Sequence, residues 1–344
     1  MKIPYFSPSL ELTDELKIDI EHILDSGWVS IGKNVELLEN YFKNKYNVKY
    51  AIATNNCTQG LIIALKAAGW RNKKILVPSF TWPSTIYAIE SNIGNEVVFG
   101  DIDPKTWHLD INSINEKNYD VILAMDTFGS EFNTNTKKPL IIDAAHGFDN
   151  PNLGHRALAE VVSFSFTKIV TATEGGMILT NDRELYEVAK ELRRLSARMN
   201  EINACIALKS IYDYERKNKK RRLEIIENYK KHLNIDYKLQ VTNETNHSVF
   251  SILLPSTFIR DKIVKALIDN EIEYKTYYEP LVEGLHNTDW LYGHIISLPL
   301  YAKLKDSEIK YICSIVNKAG KEFTPGVNYL KHSGYLKHYL EREV

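Results

Sequence analysis

Between residues 50 and 180, short apolar runs return again and again, and most of them stop at a polar residue. Ile75-Leu-Val77 leads into Pro78-Ser-Phe-Thr-Trp-Pro83, and Glu96-Val-Val-Phe99 leads into Asp101-Ile-Asp103. Val121-Ile-Leu-Ala124 ends at Asp126, and Pro139-Leu-Ile-Ile142 ends at Asp143-Ala-Ala-His146. A strand with one wet face alternates polar and apolar residues, whereas a run that is apolar throughout is covered on both faces. Helical stretches separate these runs. The pattern therefore predicts an α/β chain whose large domain is a three-layer αβα arrangement around a mostly parallel sheet. Ligands of such sheets bind beyond the carboxyl ends of the strands. Trp82, Asp126, Asp143, His146 and Lys168 all fall at or near such ends.

The flanking regions read differently. Leu16, Ile20, Ile23 and Leu24 have helical spacing over 12–25, with Thr13 as N-cap. Val35, Leu38, Tyr41 and Phe42 share one face of a second helix over 34–46, and 182–232 reads as one long helical stretch. From about 236 the chain changes character: a strand over 248–254, a helix over 260–270, an extended piece over 273–278 and a helix over 305–316. This predicts a large domain over 1–235 and a smaller C-terminal α+β domain over 236–344, with a polar, tyrosine-rich tail over 326–344 left unassigned.

Composition removes several function classes. A formal net charge of −1 over 344 residues speaks against a nucleic-acid partner, which calls for a basic field. Three widely spaced cysteines without a CxxC suggest a reducing compartment and no structural zinc. No apolar stretch has the length of a signal peptide core or a membrane span, so a soluble, cytoplasmic protein without a membrane partner is expected. Neither a G-x-x-x-x-G-K loop nor a G-x-G-x-x-G fingerprint is present.

Lys168 stands between two segments that read as buried strands, and a buried ammonium shifts its pKa, pairs or reacts. Its context alone leaves open a lysine whose stem snorkels from a strand end. Its company points to pyridoxal 5′-phosphate. That cofactor takes an amine for a Schiff base, which Lys168 supplies, and a carboxylate for its ring nitrogen, which Asp143 supplies 25 residues earlier. Its phosphate wants helix-start N–H groups and hydroxyls, available at Cys57, Thr58 and Ser163, and its ring wants a flat apolar face, for which Trp82 is suited. Asp126 is open between a substrate contact and a strand-end cap.

These stretches resemble the DegT family of nucleotide-sugar aminotransferases. The motifs are Ser26-Gly-Trp28 with Gly32, Pro78-Ser-Phe-Thr-Trp82, Asp101-Ile-Asp103, Asp143-Ala-Ala-His146, Ser163-Phe-x-x-x-Lys168, Glu174-Gly-Gly176, Arg198-Met199-x-Glu201, Tyr277-Tyr-x-Pro-Leu281 and Leu298-Pro-Leu300. The resemblance covers nearly the whole chain and implies the fold of aspartate aminotransferase, fold type I of the pyridoxal-phosphate enzymes. It implies that Lys168 and Asp143 are catalytic and that His146 sits near the ring oxygen, where many relatives have glutamine. It also implies a homodimer in which Ser196 approaches the phosphate of the neighbouring subunit, a place where relatives usually carry asparagine. The implied reaction moves an amino group from L-glutamate to a keto sugar on dTDP, UDP or GDP, giving amino sugars for surface glycans such as lipopolysaccharide O-antigen. The alternatives are a keto-cyclitol substrate and a cofactor-binding sensor without turnover. A sugar dehydratase is disfavoured, because those relatives have histidine where Lys168 stands.

Overall fold

The computed structural model describes residues 2–8 and 10–321. Helices α1 (Asp14–Asp25) and α2 (Lys33–Tyr46) open the chain. Thr13 caps α1 as the sequence predicts, its hydroxyl accepting from the Leu16 N–H at 3.3 Å.

Strands β1 (Tyr50–Thr54), β2 (Lys74–Pro78), β3 (Glu96–Gly100), β4 (Val121–Met125), β5 (Leu140–Asp143), β6 (Ala159–Ser163) and β7 (Gly176–Thr180) form one sheet. Their order is β1-β7-β6-β5-β4-β2-β3. Strand β7 runs antiparallel to β1 and β6, and the other pairings are parallel. Helices α3 (Cys57–Ala67), α4 (Pro83–Glu90) and α5 (Arg183–Ser196) cover one face, and α2 and α6 (Glu201–Asp213) cover the other. Successive strand residues serve opposite cores. Ile75, Val121, Ile141, Val161 and Ile178 pack with α3, while Leu76, Ile122, Ile142, Val162 and Met177 pack with α2. Both faces are therefore dry, which is why the strands read as continuous apolar runs. Each fully buried Ile, Leu or Val contributes about 1.5–3 kcal/mol, so these two layers dominate the stability of the region.

The stretch expected to be helical over 182–232 holds three helices, and the second starts at Glu201, where the family-like motif marks a helix start. Asn200 interrupts the stretch, its side chain accepting from the Asn203 N–H at 2.7 Å and so starting α6. A π-helical turn over Tyr214–Asn218 then leads into α7 (Lys219–His232). The first break is useful to the fold. It presents buried Glu201 to the start of α2, where its carboxylate accepts from the N–H groups of Gly32, Asn34 and Val35 at 2.8–2.9 Å.

Beyond α7 come β8 (Phe250–Leu253), α8 (Thr257–Asp269), α9 (His286–His294), β9 (Ile295–Leu298) and α10 (Asp306–Lys321). Strands β8 and β9 pair antiparallel, and Ile252, Ile263, Ile296 and Ile312 form a separate core with them. Ile225, Ile226 and Tyr229 of α7 belong to that core, as does Ile3. We propose on this packing that the smaller domain begins within α7 rather than at 236. The tail over 326–344 lies outside the described residues.

Candidate active site

Lys168 follows β6 in a turn closed by its own N–H, which donates to the Ser165 carbonyl at 3.0 Å. Its Nζ lies 2.8 Å from His146 Nε2. Burial pulls the amine down to about 8, against the lesser upward pull of the Asp143 carboxylate. His146 reaches this position from the turn after β5. Its Nδ1 lies 2.7 Å from Ser248 Oγ, and the Tyr278 hydroxyl stands 3.4 Å from Nε2. Burial, Lys168 and Arg222 hold the imidazole well below its ordinary pKa, so it is neutral at pH 7.

Asp143 ends β5 and is buried. One carboxylate oxygen accepts from the Thr85 hydroxyl at 2.8 Å and the other from the Ala145 N–H at 3.0 Å. Burial raises its pKa, opposed by these hydrogen bonds and by Lys168. Thr85 is held in turn by Thr81, 3.1 Å away between hydroxyls. The sequence reading missed Thr85. The available signal was helical spacing, since Thr85 lies three positions after Trp82 in the first turn of α4.

At the start of α3, the Asn56 side chain accepts from the Gln59 N–H at 2.8 Å, and the Cys57 and Thr58 N–H groups precede it in the first turn. Cys57 Sγ is 3.7 Å from the Val161 carbonyl, which sets this turn beside β6 two residues before Ser163. Burial pushes the Cys57 thiol up, so it stays protonated. The close approach of β7 depends on Gly176. A Cβ there would stand 2.7 Å from Thr54 Oγ1 and 2.9 Å from the Asn56 backbone.

Trp82 is 55 % exposed at the start of α4, its ring 6.4 Å from that of Tyr278. Tyr278 itself stacks on Phe128 at 5.3 Å. Asp126 is sealed away. Arg156 grips it with two hydrogen bonds of 2.7 and 2.8 Å and also pairs with buried Glu160. Of the two readings of Asp126, the strand-end one fits, because its oxygens are committed to Arg156 and to the Phe132 N–H. Ser196 ends α5 with its hydroxyl donating to the Leu192 carbonyl at 3.0 Å. Its neighbours Ala197 and Arg198 bond to Asn55 and Thr54, next to the start of α3. Lys168, Asp143, His146, Cys57, Thr58 and Ser163 thus share the carboxyl edge of β5 and β6 and the α3 turn beside them.

The chain is similar to known proteins over most of its length. A GDP-perosamine synthase of Escherichia coli O157:H7 is 26% identical, the match covering 92% of this chain and 98% of that protein. The crystal structure of DesI with its TDP-sugar product superposes with a TM-score of 0.83 at 23% identity, over 92% of each chain. PseC, a Helicobacter pylori aminotransferase involved in pseudoaminic acid biosynthesis, also gives 0.83, at 21% identity over 94% of this chain and 100% of that one. The sheet, the covering helices and the likeness to these structures identify fold type I of the pyridoxal-phosphate enzymes. A family profile matches residues 11–317, and the chain belongs to the DegT/DnrJ/EryC1/StrS aminotransferase family.

Proposed function

We propose that this enzyme moves an amino group from L-glutamate to a keto sugar carried on a nucleoside diphosphate. It is a transaminase dependent on pyridoxal 5′-phosphate. The donor set fits that group: a primary amine held near pKa 8, a buried carboxylate, and a helix start with N–H groups and hydroxyls beside it. When bound, the cofactor supplies an electron sink for the carbon that loses or gains a proton.

The chain's residues do the rest. Lys168 would hold the cofactor through Nζ, and the same amine would move the proton. Asp143, oriented by Thr85, keeps a negative charge beside the ring nitrogen. Cys57 and Thr58 offer N–H groups, and Ser163 a hydroxyl, to the phosphate. Trp82, whose ring meets that of Tyr278, would offer the cofactor ring its flat face. The observation that carries the reading is the Lys168 amine, 2.8 Å from a neutral imidazole and under the influence of a buried carboxylate. The nucleotide-linked substrate rests on the names of the GDP-perosamine synthase and of DesI with its TDP-sugar product. The same reading places the enzyme in the cytoplasm and its amino-deoxy sugar in surface glycans.

A single-turnover experiment tests it. Glutamate should bleach the visible band of the purified holoenzyme, and a GDP- or dTDP-linked 4-keto-6-deoxyhexose should restore it. Restoration by a keto-cyclitol alone would overturn the nucleotide-sugar assignment, and no bleaching by any amino acid would leave only a sensor.

The working unit in this reading is a homodimer, with Ser196 serving the partner's phosphate. Leu195 beside it is 64 % exposed, as is Trp28 at 68 %, which suits a covered face. Mixing the nearly inactive Lys168→Ala and Ser196→Asp proteins under subunit exchange should restore activity, because each heterodimer then holds one intact site. If Ser196 serves its own chain, every site carries a defect and no activity returns.

A further inference from the structure

The turn bearing His146 is held by a strap that follows it by about 100 residues in sequence. Asn246 Nδ2 donates to the His146 and Phe148 carbonyls, and the Asn246 N–H donates to the Gly129 carbonyl at 3.2 Å. Arg222 of α7 fixes the next residues, donating to the His247 and Ser248 carbonyls at 3.0 and 2.9 Å. The strap delivers one hydroxyl to the site, Ser248 Oγ, 2.7 Å from His146 Nδ1 and 102 residues away in sequence.

A neutral imidazole has one N–H and one lone pair, so what it offers at one nitrogen is decided by the partner at the other. A serine hydroxyl both donates and accepts. We propose that Ser248 is a positioning residue that lets His146 change tautomer, so that Nε2 accepts from Lys168 as ammonium and donates to it as amine. This rests on the reading of Lys168 as the proton carrier. In the first state Nδ1–H donates to Ser248, Nε2 accepts from Nζ–H, and Lys168 holds three protons. In the second the Ser248 hydroxyl donates to Nδ1, Nε2–H donates to the Nζ lone pair, and Lys168 holds two. One proton leaves the set, to the reacting carbon in turnover or to water in a titration. The imidazole keeps a single proton in both states.

The surrounding charges allow this. Lys168 is faced by Asp143 from β5 and by the protonated Cys57 thiol from α3. His146 is faced by Lys168, by the Arg222 guanidinium from α7 and by the Tyr278 hydroxyl. Both cations oppose an imidazolium, so the tautomer can change without the ring gaining charge.

Nitrogen-15 NMR of the histidine-labelled, full-length protein freed of cofactor tests the proposal between pH 6 and 10. His146 should pass from the Nδ1–H to the Nε2–H form with a midpoint near the Lys168 value of about 8, without an imidazolium signal. Ser248→Ala leaves Nδ1 without its partner. A buried unpaired N–H is less tolerable than an unpaired lone pair, so the Nε2–H form should persist at every pH. The pH midpoint for acylation of Lys168, read by peptide mass spectrometry, should then fall by roughly one pH unit, about tenfold more free amine at a given pH. Ser248→Thr should restore both. One tautomer throughout the wild-type titration, an imidazolium signal, or an unchanged tautomer transition in Ser248→Ala would each overturn the idea. The wild-type titration decides it even if the alanine variant does not fold. Failure of the nucleotide-sugar assignment would appear instead as absent turnover with the tautomer change intact.

Discussion

Lys168→Ala should turn over on the order of ten-thousand-fold more slowly than the wild type, because the anchoring amine and the proton carrier are lost together. The protein should remain folded and still take up the cofactor through the phosphate contacts at Cys57, Thr58 and Ser163. Lys168→Arg should be nearly as slow, since a guanidinium keeps its proton at any working pH and cannot act as an amine. The pH dependence adds a second check. With its pKa pulled down to about 8, roughly a quarter of Lys168 is free amine at pH 7.5, against about one part in a thousand for an ordinary lysine. Amine-directed labelling of cofactor-free protein should therefore reach Lys168 first and rise through pH 8. Single-turnover absorbance and peptide mass spectrometry measure the two effects. A Lys168→Ala enzyme within tenfold of wild type would place the reactive amine elsewhere.

Arg156→Ala should cause the largest loss of stability among single charge removals around the seven-stranded sheet. The guanidinium is nearly enclosed and serves two carboxylates, Asp126 and Glu160, whose side chains are fully buried. Burial by itself pulls Arg156 down, but the two carboxylates more than offset it and leave its pKa above the ordinary value. Burial raises Glu160, and Asp126 adds to that rise while Arg156 opposes it. Removing the shared cation leaves two buried anions facing each other, a change that costs about 3–5 kcal/mol. For a chain of this size the melting temperature should fall by about 4–7 °C. The damage should reach the site, because the Asp126 N–H donates to the Asp143 carbonyl at 3.0 Å. Adding Asp126→Asn and Glu160→Gln should recover much of the loss by removing the stranded charges. Thermal unfolding of the three proteins checks this, and a single variant melting within 2 °C of wild type would show that Arg156 holds little.

The layered α/β fold and the strand-end position of Lys168 and Asp143 were legible in the sequence by itself. Both depend on local periodicity: a strand buried on both faces must be apolar at successive positions, and a polar residue next to such a run marks the strand end. The Thr13 cap was legible for the same reason, because capping acts over three residues. The three-helix division of 182–232 was legible only in part, at the family-like motif where α6 starts. Asn200 interrupts the pattern, but nothing local tells that Glu201 behind it is wanted by the N–H groups of α2. Asp126 stayed ambiguous because its partner Arg156 follows Gly154 and His155 in a stretch that looks exposed. Ser248 was invisible. Its value comes from a strap that Arg222 and Asn246 fasten over the β5 turn, joining residues 102 positions apart. Which side chains lie in a chain's apolar stripes is a property of spacing. Which hydroxyl meets which imidazole is decided only when two separately cored units close on each other.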